Sequence, residues 1–218
     1  LEREIGASPL ASRDLPVPLA DVVLPEPALT AAARAALEAV VGAPQVRDDH
    51  ATRVEHAGGK SFPDLVRIRR GDGSHAPDVV VFPGSPEEVQ QVVEVCSEHE
   101  IALVPFGGGT SVVGGVSALR GRFAAVVTLD LRRLTAVPAI DPVSRVATLQ
   151  AGLRGPEVEA ALRPHGLTLG HYPQSHQEAT IGGYVATRSA GQASTGYGRV
   201  DEMVLGARLA TPAGELRL

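Results

Sequence analysis

The segment VPFGGGTSVVGG (residues 104–115) has five glycines among its twelve residues, two hydroxylated side chains and no charge. Consecutive glycines let the backbone take positive φ angles and let a ligand approach without Cβ atoms in the way. Several N–H groups of such a loop can point into one concavity and bind an anion such as phosphate. The hydroxyls of Thr110 and Ser111 add donors to the same loop. The segment therefore predicts a phosphate-binding loop.

The residues before this loop predict a β-α-β unit. DVVVFP (78–83) is a continuous apolar run of strand length, which suits a strand that is buried on both faces. SPEEVQQVVEVCSEHE (85–100) follows as a helix, with Ser85 as its N-cap and Pro86 at its first position. IALVP (101–105) is the next strand, parallel to the first. The glycine loop is therefore expected at the carboxyl end of a parallel strand, where open α/β sheets bind their ligands.

Two familiar phosphate loops do not fit this segment. A Walker A loop needs a lysine after its last glycine, but Gly109 is followed by Thr110, and the only lysine of the chain is Lys60. A dinucleotide fingerprint, G-x-G-x-x-G, fails when it is read from Gly107, because Val112 stands in the place of the third glycine. The loop is therefore of another type.

The sequence on either side of this unit is organised differently. Residues 1–26 are punctuated by proline and predict an arm, and residues 28–42 predict a helix with Thr30 as its N-cap. Residues 44–73 have little periodicity and are expected to be mainly exposed loop with one short strand. Further along, AAVVTLDL, AVPAID and RVATLQAG (within 124–152) predict an antiparallel meander, followed by two short helices and a final hairpin.

The composition argues against several classes of protein. A net charge of −5 disfavours a nucleic-acid partner, and four Phe, three Tyr and no Trp do not make a base-stacking platform. The chain has no apolar run of about 18 residues, so no transmembrane helix is expected, and its first residues lack the apolar core of a secretory signal. A single cysteine excludes an internal disulfide and fits a reducing cytoplasm. The richness in alanine, glycine and valine is typical of a bacterial gene with a GC-rich code.

Four segments, in this order, carry a resemblance to a known family. They are FPDLVRIRRGD, PFGGGTS, GHYPQSHQEATIGGYVATRSAG and YGRVDEMV, which together span roughly residues 55–218. They resemble the FAD-binding (PCMH-type) half of the vanillyl-alcohol-oxidase superfamily, and within it most closely the alkyldihydroxyacetonephosphate synthases and bacterial FAD-linked oxidases. The resemblance implies an α+β fold of two subdomains, a small parallel βαβ part and then a mostly antiparallel sheet with helices.

The resemblance also implies a division of the chain. Residues 1–50 would form the N-terminal arm and helix, and residues 51–218 the FAD-binding domain. Within that domain, residues 77–115 would hold the βαβ unit and the pyrophosphate loop, and residues 120–218 the second subdomain. The resemblance further implies a flavin-contacting segment and a cap or substrate domain, which we expect to lie outside these 218 residues. We therefore expect the chain by itself to be catalytically inactive.

In this superfamily a Gly-Gly-Gly-Thr-Ser-type loop holds the FAD pyrophosphate, and two later segments contact the flavin. The second segment commonly carries Asp-Ser before a later Ser-Thr; Ser175 and Thr180 match this pattern, while Gln174 departs from it. At the start of the following helix, Gly182 and Gly183 are expected to permit close approach of a ring or phosphate, which the helix dipole favours. The implied cofactor-binding residues are Pro105, Phe106, Gly107, Gly108, Gly109, Thr110, Ser111, Gln174, Ser175, His176, Gln177, Glu178, Ala179, Thr180, Gly182, Gly183, Thr187, Arg188, Ser189 and Ala190.

The remaining reactive side chains suggest little further chemistry. His171 and His176 flank the second segment, but a metal site needs a third ligand and usually tighter spacing, so we expect no metal. Solvent exposure is the simplest expectation for both, and a place near the flavin edge the next. Cys96 lies on an apolar helix stripe and is expected in the core. Relatives that bind FAD covalently use a histidine or cysteine near the loop; here Gly, Thr and Ser stand there, which predicts non-covalent FAD. No catalytic residue is identified.

Three functions stay open. The resemblance implies a flavoenzyme that exchanges acyl for alkyl on an acyl-dihydroxyacetone phosphate through a flavin N5 adduct. The alternative is an FAD-linked oxidoreductase that oxidises a 2-hydroxy acid or an alcohol, and the non-enzymatic alternative is a silent flavin-binding fragment. In each enzymatic case the partner is a small-molecule substrate. A homodimer is left open, as is a place in the cytoplasm or at a membrane surface.

Overall fold

The structure is a computed structural model that describes residues 15–218. The first part of the predicted arm, and the N-terminal residues judged to lack a secretory signal, lie outside the described residues. The helices are α1 Ala31–Val41, α2 His50–Glu55, α3 Phe62–Arg69, α4 Pro86–Glu98, α5 Gly155–Leu162, α6 Ile181–Thr187, α7 Ser194–Tyr197 and α8 Val200–Met203. The strands are β1 Val46–Arg47, β2 Val79–Val81, β3 Ala102–Phe106, β4 Val126–Asp130, β5 Ala139–Asp141, β6 Val146–Thr148, β7 Arg208–Thr211 and β8 Gly214–Arg217. Single 3-10 turns lie at Leu19–Asp21, Ala43–Gln45 and Arg163–His165.

A four-stranded sheet of order β1-β2-β4-β3 forms the centre of the first half. Strands β2 and β3 both pair in parallel with β4, and β1 pairs antiparallel with β2 at one edge. The predicted β-α-β unit is thus present, with β4 inserted between its two strands. The expectation that this fourth strand belongs to an antiparallel meander is wrong. All five residues of β4 are buried, and such burial on both faces is typical of a parallel strand.

One face of this sheet is covered by α1 and α4, as the apolar periodicity predicts. Leu37 of α1 and Val92 and Cys96 of α4 pack against Val79 and Val127 of the sheet in one buried cluster. Burial raises the pKa of the Cys96 thiol to about 12, so this side chain is a core residue, as expected. No helix within residues 15–218 is long and apolar enough to span a membrane.

The segment between α1 and β2 is more ordered than its weak periodicity predicts. Instead of mainly exposed loop it contains α2 and α3, and α3 has complete end signals. The Ser61 hydroxyl accepts a hydrogen bond from the Asp64 N–H, a proline lies in the first turn, and two arginines lie in the last. The described part of the arm contacts the end of this helix, where the Val17 N–H donates to the Arg69 carbonyl oxygen.

The second half builds separate apolar clusters. Leu153, Val158 and Leu162 are buried together beneath the β5–β6 hairpin, and Tyr184 of α6 is buried in another cluster with Ala179. The final hairpin, β7–β8, is present as predicted. It returns to the first half, where the Gln90 side-chain amide donates to the Thr211 carbonyl oxygen at 2.8 Å. The α+β fold class is confirmed, and the exact domain boundaries stay a prediction.

The N-cap of α4 gives a test of the local signals that fix the β-α-β unit. The Ser85 hydroxyl accepts a hydrogen bond from the Glu88 N–H at 3.1 Å, and Ser85→Ala removes this acceptor. We expect Ser85→Ala to lower the free energy of unfolding by about 1 kcal/mol in urea titrations. Ser97→Ala, in the exposed last turn of the same helix, is the matched control and should change it far less. Equal effects of the two changes would contradict the capping role.

Candidate functional site

The glycine loop leaves β3 at the carboxyl edge of the sheet with its backbone donors free. Within residues 15–218, no acceptor bonds to the N–H groups of residues 107–112. The Ser111 hydroxyl oxygen accepts from the Gly115 N–H at 3.0 Å, which folds the end of the loop back on itself. Gly109 has a φ of +65°, in the left-handed region that favours glycine. Six consecutive donors on a turning backbone suit an anion with several oxygens.

The opposite side of the loop packs tightly against the second predicted segment. A Cβ atom at Gly107 would lie 2.3 Å from the Thr180 hydroxyl oxygen, and one at Gly108 would lie 1.9 Å from the Glu178 carbonyl oxygen. The structure therefore brings the first two predicted segments into direct contact. A glycine is therefore required at residue 108 even without a ligand, because a side chain there would clash with the backbone of the second segment.

The start of α6 carries the two glycines that were expected to permit close approach of a ring or phosphate. Its first N–H groups are already bonded: Ile181 donates to the Leu153 carbonyl, Gly182 to the Ala151 carbonyl, and Gly183 to the Thr180 hydroxyl. These three N–H groups are therefore not free donors for a ligand, and the expected approach of a ring or phosphate to Gly182 and Gly183 stays a prediction. Gly182 is needed for close packing, since a Cβ there would lie 2.9 Å from the Ala151 side chain. Gly183 is exposed and has only ordinary contacts, so its surface is open to a ligand.

The third predicted segment, residues 187–190, closes α6. Arg188 has a φ of +51° at the helix end and pairs with Asp201 at 2.7 Å. The Thr187 hydroxyl donates to the Gly183 carbonyl oxygen, and the Ser189 hydroxyl lies 2.5 Å from Nε2 of His171. The contact between Ser189 and His171 joins the third segment to the residues that precede the second one.

His171 is not solvent-exposed, contrary to the simplest expectation. Its ring is buried, lies edge-on to the ring of Tyr184 with 4.9 Å between centroids, and contacts Ser189. Burial, with a smaller contribution from the nearby His176, lowers the pKa of His171, so its neutral form prevails at pH 7. In the part of the chain that the structure describes, no three His, Cys, Asp or Glu side chains are grouped as metal ligands.

Two groups of residues at this edge were missed by the sequence interpretation. The first is the Gly58-Gly59-Lys60 turn before α3. The Lys60 N–H donates to the Ser111 carbonyl oxygen at 2.7 Å, and a Cβ at Gly59 would lie 2.1 Å from the same oxygen. The paired glycines could have indicated this contact, because a glycine often lies where two backbone segments approach closely.

The second missed group is a buried charged cluster beneath the loop. His56 and Asp130 are both fully buried, with 2.9 Å between Nε2 and Oδ2. Arg132 donates to the same carboxylate from Nε at 2.8 Å and reaches Glu55 with its Nη1 atom at 2.7 Å. Burial alone raises the pKa of Asp130, but the hydrogen bonds from His56 and Arg132 outweigh it, and the pKa lies below its ordinary value. Phe106, the last residue before the loop, contacts the His56 ring and lies beneath the Arg132 guanidinium.

The chain belongs to the family described as FAD binding domain, whose model matches residues 77–218. This confirms the FAD-binding family and its cofactor, FAD. The matched region begins just before β2 and includes the loop and all three predicted segments.

The chain is similar to an alkyldihydroxyacetonephosphate synthase of Dictyostelium discoideum, with 39% identity over 80% of this chain and 28% of that protein. It is also 36% identical, over 78% of its length, to an uncharacterised FAD-linked oxidoreductase of Escherichia coli, of which it covers 34%. A solved alkyldihydroxyacetonephosphate synthase structure superposes with a TM-score of 0.90 at 34% identity, covering 94% of this chain and 39% of the other. The chain thus spans about a third of the length of these relatives.

The contact between Gly108 and the second segment can be tested by adding a single methyl group. Gly108→Ala should lower the free energy of unfolding by about 2 kcal/mol or more, because the Cβ atom would overlap a backbone oxygen that cannot move by itself. Gly183→Ala is the control, since its Cβ would come no nearer than 3.5 Å to another atom, and it should leave stability unchanged or slightly raised. Urea titrations of both variants decide the matter; an unaffected Gly108→Ala protein would show that the two segments do not pack as described.

The buried carboxylate predicts a defined pH dependence of stability. Because the folded-state pKa of Asp130 lies below its unfolded value of about 3.9, its contribution is complete above that pH and is lost as the pH falls through the folded pKa. Asp130→Asn should cost about 3 kcal/mol at pH 7, and the deficit should shrink at acid pH. Asp141→Asn, in an exposed turn, is the control and should have a much smaller effect. A deficit that is independent of pH would contradict this role of Asp130.

Proposed function

We propose that this chain binds FAD non-covalently and holds its pyrophosphate in the loop of residues 107–112. The observation that carries the proposal is the row of consecutive N–H groups without an acceptor among the described residues, in a chain of the FAD-binding family. A diphosphate offers several anionic oxygens to such a row, and the hydroxyls of Thr110 and Ser111 lie on the same turn.

The surroundings of the loop favour a non-covalent complex. Covalent attachment needs an accessible nucleophile, but Cys96 is buried in the core with a raised pKa, and His56 is fully buried with both ring nitrogens in hydrogen bonds. The flavin contacts proposed for the second and third segments would come from side chains and backbone around α6, where Gly183 is exposed.

For the enzyme that contains this domain, we propose exchange of the acyl for an alkyl group on an acyl-dihydroxyacetone phosphate. The proposal is supported by the similarity to alkyldihydroxyacetonephosphate synthases in sequence and in fold. When bound, FAD supplies the reactive ring, and the residues of this chain would bind and orient the cofactor. We assign no catalytic residue here, since His171 is held by Ser189 and has no carboxylate partner among the described residues.

The second candidate function is an oxidoreductase that removes a hydride from a 2-hydroxy acid or an alcohol. It is supported by the similarity to an FAD-linked oxidoreductase. Anaerobic addition of candidate 2-hydroxy acids to the enzyme that contains this domain distinguishes the two reactions. Loss of the yellow flavin absorbance favours the oxidoreductase, whereas alkyl exchange on acyl-dihydroxyacetone phosphate without such bleaching favours the synthase. The single buried cysteine fits the cytoplasm, which is the compartment we propose.

The binding proposal is tested by titrating the purified chain with FAD and with riboflavin, which lacks the pyrophosphate. We expect FAD to bind at least about 100-fold more tightly, a difference of roughly 2.7 kcal/mol. Acid precipitation should release all the flavin into the supernatant. Equal affinity for the two flavins would show that the loop does not bind the pyrophosphate. Yellow colour in the washed pellet would contradict non-covalent attachment.

A further inference from the structure

The side chain of His56 is held in an unusual hydrogen-bonding environment for a buried histidine. Its Nδ1 atom lies 2.7 Å from the Thr52 carbonyl oxygen, and its Nε2 atom lies 2.9 Å from Oδ2 of Asp130. A carbonyl oxygen accepts hydrogen bonds only, and so does an ionised carboxylate, while a neutral imidazole carries a single N–H. Both contacts are satisfied when each ring nitrogen bears a proton, that is, when His56 is an imidazolium.

The charges around this ring compensate one another. Asp130 and Glu55 are the acids near it, and Arg132 is the other cation, with its Nη2 atom 3.4 Å from Nε2 of His56. Two positive and two negative groups therefore share one cluster. The other neighbours of the ring are the aromatic side chains of Phe82 and Phe106. A buried imidazolium is tolerable in this setting because its charge is paired and its donors are used.

The cluster reaches the glycine loop through Phe106. The rings of His56 and Phe106 have 4.3 Å between centroids, and the Arg132 guanidinium lies 5.6 Å above the same phenyl ring. On the loop side, a Cβ atom at Gly109 would lie 2.6 Å from the tip of the Phe106 ring. The phenyl ring is therefore enclosed between the charged cluster and the loop backbone.

We infer that His56 is a positioning residue for the glycine loop: as an imidazolium fixed by Thr52 and Asp130, it holds Phe106 so that the loop donors converge on one anion. His56 is fully buried and acts through Phe106 without contact with the ligand. Two directional hydrogen bonds fix the plane of the histidine ring, which apolar packing alone does less sharply. The inference rests on the proposed function in that the anion is the FAD pyrophosphate.

The test is His56→Gln in the complete chain, with His50→Gln as the matched control. His50 begins α2, the helix that His56 follows as its C-cap, and the His50 ring bonds to the Val22 carbonyl oxygen in the arm. We expect the dissociation constants of FAD and of ADP, which both carry the diphosphate, to rise about 10-fold in His56→Gln and to stay unchanged in the control. Affinity is measured at a temperature where circular dichroism shows each variant fully folded. If His56 served only the stability of the fold, the affinity of the folded variant would then equal that of the unsubstituted chain.

A second measurement does not depend on cofactor binding. In ligand-free protein, ¹H–¹⁵N spectra should show protons on both His56 nitrogens at pH 7, and His56→Gln should shift the amide signals of residues 107–109. Arg132→Gln, whose side chain is partly exposed, is the milder variant to use if His56→Gln does not fold. A singly protonated His56, or loop signals that are unmoved in the variants, would overturn the inference. Failure of the unsubstituted chain to bind FAD would instead overturn the proposed function, while the spectra would still decide the role of His56.

Discussion

The parallel pairing of β3 with β4 is the interaction on which the rest of this site depends. The two strands are paired over five residues, from Ala102 opposite Val126 to Phe106 opposite Asp130. This register places the last side chain before the glycine loop beside a carboxylate at the same edge of the sheet. A slip by one residue would turn every side chain of β3 to the opposite face, so the pairing fixes both the start of the loop and what lies beneath it.

From this edge the chain approaches itself repeatedly at glycines. Gly59 meets the Ser111 carbonyl, Gly107 and Gly108 meet the second segment, and Gly182 meets Ala151. At each of these positions a Cβ atom would overlap another part of the chain: backbone at Gly59 and Gly108, and a side chain first at Gly107 and Gly182. The two sides of the loop therefore differ in what they contact. One side is fixed by packing, and the N–H groups of the other remain free for a ligand.

The charged cluster beneath the loop explains how an edge made of glycines can be rigid. Burial of charges is costly, and this cluster offsets the cost with hydrogen bonds to each group at its centre, His56, Asp130 and Arg132. Because Arg132 and Glu55 extend towards solvent while His56 and Asp130 are fully enclosed, the network connects the surface to the base of the loop. It gives Phe106 a fixed support that an apolar pocket of similar size would define less sharply.

The sequence by itself determined the elements whose signals are local. The N-caps at Thr30 and Ser85, the apolar run of β2, the glycine loop and the final hairpin were all predictable, because each depends on residues close together in the chain. The resemblance carried by four segments added the family and the α+β fold. The end signals of α3 were also present in the sequence, but the helix is too short for clear periodicity.

Only the tertiary structure decided the contacts between distant parts of the chain. The insertion of β4 between β2 and β3, the approach of Gly59 to Ser111, and the pairing of His56 with Asp130 across 74 positions leave no local trace. The start of α6 shows the same limit, because the sequence does not reveal that the carbonyl oxygens of residues 151 and 153 accept from its first two N–H groups. A hydrogen-bond donor is available to a ligand only when no other part of the fold accepts from it, and that depends on packing rather than on sequence spacing.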